Sequence, residues 1–145
     1  MNDSQHNDMI QFNIDLPPRS KKNSMQILVN PKTKRPFISP SSAYKAYRKA
    51  ALMLIPKDVR QGIDYPVNVK ALFYMPTRRK VDVSNLNSAL HDILVDANVL
   101  SDDNRDIVAG TDGSRVLWDR DHPRTEVTIT AMEGEYEQWG RKSKE

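Results

Sequence analysis

Between Pro76 and Asn104 the chain gathers the side chains that phosphate chemistry requires. The segment reads P-T-R-R-K-V-D-V-S-N-L-N-S-A-L-H-D-I-L-V-D-A-N-V-L-S-D-D-N. A basic run, Arg78, Arg79 and Lys80, stands just before Asp82, and an acid pair, Asp102 and Asp103, follows a predicted helix. If the fold brings Asp82, Asp102 and Asp103 together, they form an oxygen-only ligand cluster. Such ligands suit Mg²⁺ or Mn²⁺, which bind few carboxylates and keep water and phosphate oxygens for the rest. An ion held there activates a water and neutralises charge on a phosphodiester. The neighbouring Arg/Lys run would hold the substrate's phosphates.

Each of these residues also has a plain structural use. Asp82 or Ser84 at a helix entrance is favoured as an N-cap, and spacing alone ranks the cap above a metal ligand. Asp102-Asp103-Asn104 fits a solvated turn. A calcium loop is excluded, because Ile107 stands where its glycine belongs and Gly113 where its final glutamate belongs. Asp92 is by default a solvated charge. His91, adjacent to it, points elsewhere on the helical wheel and forms no nucleophile–base pair with it.

Composition narrows the classes further. The 145 residues suit one domain, with 38% hydrophobic and 28% charged residues permitting a core under a charged surface. With no cysteine, disulfide scaffolds, thiolate zinc sites and thiol nucleophiles are excluded. Three histidines make a His-rich metal cage an unsuitable expectation. No apolar run approaches a membrane span and no secretory signal opens the chain, so a cytoplasmic protein with no membrane partner is expected. The net charge of +3 conceals an asymmetry. Arg19 to Lys80 holds fifteen basic and two acidic residues, whereas Val81 to Trp139 holds four basic and thirteen acidic ones. A purely electrostatic DNA clamp would not need the acidic half. The clustering of Arg19, Lys21, Lys22, Lys32, Lys34 and Arg35 favours an anionic partner.

These side chains need a scaffold, and periodicity outlines one. Residues 1–8 are polar and expected to fray, 9–133 form the domain, and 134–145 make a polar tail. Ile10, Phe12, Ile14 and Leu16 alternate as a strand ending at Pro17-Pro18. Ile27–Val29 and Pro36–Ser39 flank a basic turn, as a hairpin does. Ser41 or Ser42 caps a helix with Tyr44, Tyr47, Ala51 and Leu54 on one side, ended by Pro56. Val67, Val69, Ala71, Phe73 and Met75 give the clearest strand. A helix from about Ser84 to Ala97 carries the stripe Leu86, Leu90, Ile93, Leu94 and Ala97, with Asn85, Asp92 and Asp96 opposite and Asn98 as its stop. Short strands follow at Ile107–Ala109 and Arg115–Trp118, and Thr125, Val127, Ile129 and Ala131 alternate in a last one. The fold class is α+β, a small mixed sheet packed against two helices.

The run R-R-K-V-D-x-x-N-L, then D-x-L, then D-D, at Arg78–Leu86, Asp92–Leu94 and Asp102-Asp103, resembles the RusA family of Holliday junction resolvases. Leu16-Pro17-Pro18 before a Lys/Asn segment is similar to that family's start, and Thr125–Met132 to its closing strand, so the likeness covers about residues 9 to 133. It implies a homodimeric, Mg²⁺-dependent crossover junction endodeoxyribonuclease that makes paired symmetric cuts at four-way DNA junctions in recombination and repair. It implies that Asp82 and Asp103 bind the metal and carry catalysis, that Asp102 supports the cluster, and that Asn85 positions it. It places DNA along Arg19, Lys21, Lys22, Asn23, Lys32, Lys34, Arg35, Arg78, Arg79 and Lys80, with no small-molecule cofactor. The family's second motif Asp is Ser84 here, a neutral oxygen ligand, and its motif Lys is Ser88. The chain resembles a divergent, phage or prophage branch with D-G-S-R-V and P-R-T-E, as at Asp112–Val116 and Pro123–Glu126. Asp92 would then supply the missing carboxylate, and Lys80, Arg79 or Arg105 the missing positive charge.

Two alternatives remain beside the nuclease. Ser84 and Ser88 suit a branched-DNA-binding protein with weakened catalysis. A single-stranded nucleic-acid binder would stack bases on Tyr44, Tyr47, Phe37 and Tyr74. That option is disfavoured because core packing accounts for these aromatics and because it leaves the acidic block idle.

Overall fold

Alternation of apolar and polar residues dictates the sheet of this computed structural model, which describes residues 9–21, 25–40 and 42–132. The strands are β1 (Ile10–Ile14), β2 (Met25–Val29), β3 (Pro36–Pro40), β4 (Val67–Met75), β5 (Val108–Gly110), β6 (Arg115–Trp118) and β7 (Arg124–Ala131). The helices are α1 (Ser42–Leu54) and α2 (Val83–Asp96), with a 3-10 turn at Lys57–Val59. In the main sheet β1 pairs antiparallel with β7, β7 antiparallel with β4, and β4 takes both β5 and β6 as parallel neighbours along its other edge.

One face of this sheet is apolar. Val67, Val69, Ala71 and Phe73 of β4 are buried, together with Phe12 and Ile14 of β1 and Val127 and Ile129 of β7. Tyr44, Tyr47 and Ala51 of α1 and Leu86, Leu90, Ile93 and Leu94 of α2 complete the same core. The expected small α+β architecture of a mixed sheet and two helices is therefore present. The stripe assigned to α2 is buried in full, Ala97 included. The α1 stripe needs one correction: Leu54 is exposed and Ile55 takes the buried position, because the helix phase reaches the core one residue later.

Helix ends are satisfied locally. The Arg60 guanidinium donates to the carbonyl of Ile55 at 3.0 Å and to that of Leu52, closing the carbonyl end of α1. α2 stops as the sequence suggests, with Asn98 in the left-handed region at φ 62°. Asp82 starts it.

The notch between β5 and β6 explains the D-G-S-R-V run. The Ser114 hydroxyl accepts from the Ala71 N–H at 3.0 Å and donates to the Val69 carbonyl at 3.4 Å. It thus replaces ladder bonds where the edge of β4 has no strand beside it. Gly113 sits at φ 87°, where a side chain would be strained, and its missing Cβ leaves room for the Lys70 stem.

The β2–β3 hairpin forms a separate two-stranded sheet rather than extending the main one. Asn30 builds its turn, accepting on its side-chain oxygen from the N–H groups of Lys32 at 2.8 Å and Thr33 at 3.2 Å. No helix of the described residues is long and apolar enough to cross a membrane.

Candidate functional site

β4 runs into the basic loop 76–82, which delivers the chain to the start of α2. Asp82 has extended backbone angles there, and one carboxylate oxygen accepts from the Ser84 N–H at 3.1 Å and the Ser84 hydroxyl at 2.8 Å. The cap expected from spacing is therefore present, and Ser84 is its partner. Asp82 also lines a wide surface hollow of about 600 Å³ with Lys80, Val81 and Val83. Arg78 does not extend freely from this loop. Its guanidinium lies over the exposed Trp118 ring, 4.3 Å from the centroid, tying the loop to the end of β6.

A second hollow, about 380 Å³, is lined by Lys21, Arg48, Asp92, Val95, Asp96 and Asp103. Helical spacing puts Asp92 and Asp96 on one line of α2. Lys21 binds Asp92 at 2.7 Å, and Arg48 of α1 pairs with Asp96. The hydrogen bond to Asp92 raises the Lys21 pKa above its ordinary value. The Asp103 N–H donates to the Asp102 carboxylate at 2.7 Å, a local turn contact. His91 lies close enough to feel both Asp103 and Asp92. Burial holds its imidazole below the ordinary histidine pKa, against the pull of those acids. Its Nε2 is buried and meets no partner among the described residues. Sequence spacing offers no sign of this, since His91 adjoins Asp92 and points elsewhere on the helical wheel.

Asp82 is thus bonded to Ser84, and Asp103 lines one hollow with Asp92 and Asp96. Among the described residues, no three His, Asp or Glu side chains are grouped so as to hold a metal ion. Asp82, Asp102 and Asp103 are therefore not counted as such a three-acid group. The role expected of Asp92, as substitute for the acid missing at Ser84, meets a limit of distance. Ten residues along a helix separate Asp92 from Asp82 by about 15 Å, too far for two aspartates of one chain to share an ion. The donors at both places remain carboxylate oxygens. They fit the hard-cation type in kind, as one or two carboxylates completed by water and phosphate oxygens.

Comparison with known proteins decides the family. The model of the endodeoxyribonuclease RusA family matches residues 15–130, which include the whole motif from Arg78 to Asp103. The chain belongs to the RusA endodeoxyribonuclease family. No curated protein matches it. The family is one of DNA-cleaving hydrolases, so nuclease chemistry is the class to which this RusA chain is assigned.

The remaining RusA-type positions sort by surroundings. Lys32, Lys34 and Arg35 are exposed at the hairpin turn, and Arg19, Arg79 and Lys80 are exposed elsewhere. Lys21 is committed to Asp92, which weakens its assignment as a phosphate contact. Lys22 and Asn23 lie outside the described residues. Asn85 is half-buried on the first turn of α2, its N–H bonded to the Asp82 carbonyl at 3.1 Å. The P-R-T-E run is structural: Arg124 bonds Glu126 at 2.8 Å, Asp119 at 2.9 Å and the His122 carbonyl at 2.8 Å, while lying 3.8 Å from the Tyr74 ring centroid. His122 in turn meets Asp15 at 3.1 Å. Tyr44 and Tyr47 are core residues, as expected, but Phe37 is not; it stands exposed on the isolated hairpin.

Proposed function

We propose that the chain is a Mg²⁺-dependent, structure-selective endodeoxyribonuclease that acts in the cytoplasm as a homodimer, resolving four-way DNA junctions by paired symmetric incisions. The observation that carries this is the family match across residues 15–130 with the acid positions of the motif retained at Asp82, Asp102 and Asp103. In this reading Asp82 and Asp103 are the principal metal-binding acids, with Ser84 beside Asp82 and Asp102 beside Asp103 as supporting oxygens, and water and phosphate oxygens complete the coordination. A bound ion supplies an activated water and charge neutralisation at the phosphate. Ser84 orients Asp82 through its hydroxyl, and Asn85 steadies the first turn of α2. Asp92 serves the Asp103 side of the site, where it fixes Lys21. Arg79 and Lys80 hold phosphate beside Asp82. Two-fold symmetry of the dimer matches two symmetric cuts.

A second reading has its own support. Ser84 stands where the motif has an acid, and the described residues group no three metal-binding side chains. Both suit a branched-DNA-binding protein with weakened catalysis. One assay separates the two: a synthetic mobile four-way junction is incubated with the protein in Mg²⁺ or Mn²⁺, with EDTA controls. The nuclease reading expects paired nicks that disappear in Asp103→Asn. Junction binding without cleavage in either metal would leave only the binding protein.

A further inference from the structure

A two-stranded hairpin standing alone is marginal in water, and it ordinarily needs an apolar surface to lie against. The β2–β3 hairpin is such a ribbon, bonded only within itself as a sheet. Its register pairs Ile27 with Ile38, Leu28 with Phe37 and Val29 with Pro36. Residues directly opposite share a face, so Ile27, Val29 and Ile38 form one apolar side and Leu28 and Phe37 the other. Ile27 is 72% exposed, Ile38 67%, Val29 60% and Phe37 45%. Apolar side chains thus face solvent on both sides of one ribbon.

What covers them is constrained by charge and by area. Residues 25–40 carry Lys32, Lys34 and Arg35 and no acid. The Asn30 turn holds these cations at one end of the ribbon, with Lys34 in the left-handed region at φ 62°. The Ile27–Val29–Ile38 face offers on the order of 400 Å², about half of the 800 Å² per partner that a standard protein interface buries. It is too small to hold a second copy of the chain alone, and a protein partner would leave the opposite face bare. An anionic partner with two apolar surfaces to offer fits better. Branched DNA has that chemistry: phosphates run along each arm, and base pairs end at the branch with unstacked faces.

We propose that the β2–β3 hairpin is a branch-point wedge, with Lys32, Lys34 and Arg35 on phosphates and Ile27, Ile38 and Phe37 against the unstacked base-pair faces. This rests on the reading of branched DNA as the substrate and adds the element that recognises the branch. Apolar residues inserted between base steps are a known way of holding DNA open, and a β-ribbon is narrow enough to enter.

The test compares the native chain, Ile27→Ser/Ile38→Ser, Phe37→Ser and Lys32→Ala/Lys34→Ala, in EDTA to prevent cleavage. Affinity is read by fluorescence anisotropy on an immobile four-way junction and on linear duplex of the same arm sequence. A second junction carries 2-aminopurine at the branch. The two apolar variants are expected to lose at least ~10-fold in junction affinity while duplex affinity changes less than ~2-fold, and to lose the 2-aminopurine brightening that reports unstacking. The lysine variant is expected to weaken both substrates together and to flatten the salt dependence. Apolar variants that keep native junction affinity and 2-aminopurine response overturn the wedge. So does a shift from dimer to monomer in light scattering without a selective junction defect, which would assign the ribbon to a second copy. If the native protein itself fails to prefer the junction over duplex, the branched-DNA reading falls first. Thermal melting of each variant confirms folding, which the exposure of the substituted residues favours.

Discussion

Asp82 caps α2, and in the proposed reading the same carboxylate binds the metal; the two roles can be separated. The cap needs a side-chain oxygen facing the Ser84 N–H, and asparagine provides one as well as aspartate does. Metal binding needs the charge. Asp82→Asn is therefore expected to melt within a few degrees of the native protein yet to lose on the order of 100-fold in junction cleavage, since an ion's several kcal/mol of charge stabilisation is reduced. Asp82→Ala loses the same activity and about 1 kcal/mol of stability besides. Circular dichroism melts and single-turnover cleavage read the two effects independently, and full activity in Asp82→Asn would leave Asp82 a cap alone. At this scale the sequence was legible where function is local. A cap can be seen from an acid preceding a helical stripe. The neighbourhood of His91 could not, because it is set by Asp103 arriving from a different loop.

Elements were legible to the extent that one face of each is buried. The nine-residue alternation of β4 and the α2 stripe reappear as buried positions because period and burial are the same physical fact. Pairing partners are not written in that periodicity. Neither the parallel placement of β5 and β6 on β4 nor the isolation of β2–β3 could be read from alternation within a single segment. How α1 seats on the sheet has a measurable consequence. Burial pushes the Tyr47 phenol up from 10.0 to about 12. The unfolded chain ionises near 10 and the folded chain does not, so the stabilisation is complete below pH 10 and is lost as pH rises from 10 towards 12. Two pKa units amount to roughly 2–3 kcal/mol by the top of that window. Tyr47→Phe is expected to remove this part of the alkaline loss. Urea midpoints at pH 8.5 and 11 should therefore lie closer together in the variant than in the native chain, and an unchanged gap would mean that Tyr47 does not carry the effect.

Across the whole molecule, the basic half of the sequence is less available than its charge count suggests. Lys21 is neutralised by Asp92, Arg48 by Asp96, and Arg60 is occupied by the carbonyls that end α1. The acidic half supplies those partners from α2, so the two halves are partly joined as ion pairs across the fold. Exposed cations at Lys32, Lys34, Arg35, Arg79 and Lys80 remain to meet phosphate. Counterion release gives this a number, because each phosphate neutralised contributes about 0.9 to the slope of log K against log salt. Arg79→Ala/Lys80→Ala is expected to make that slope shallower by roughly 2 and to weaken junction and duplex binding alike. Lys21→Ala, although it removes the same kind of charge, is expected to change the slope by well under one, because its counterion in the native chain is already a carboxylate rather than a salt ion. Anisotropy titrations between 50 and 300 mM KCl (roughly the range over which such slopes are resolved) compare the variants directly. Equal slope changes per charge in the two would show that the Lys21–Asp92 pair opens when DNA binds. The basic half would then act as one surface, and Asp92 would be released towards Asp103 in the complex.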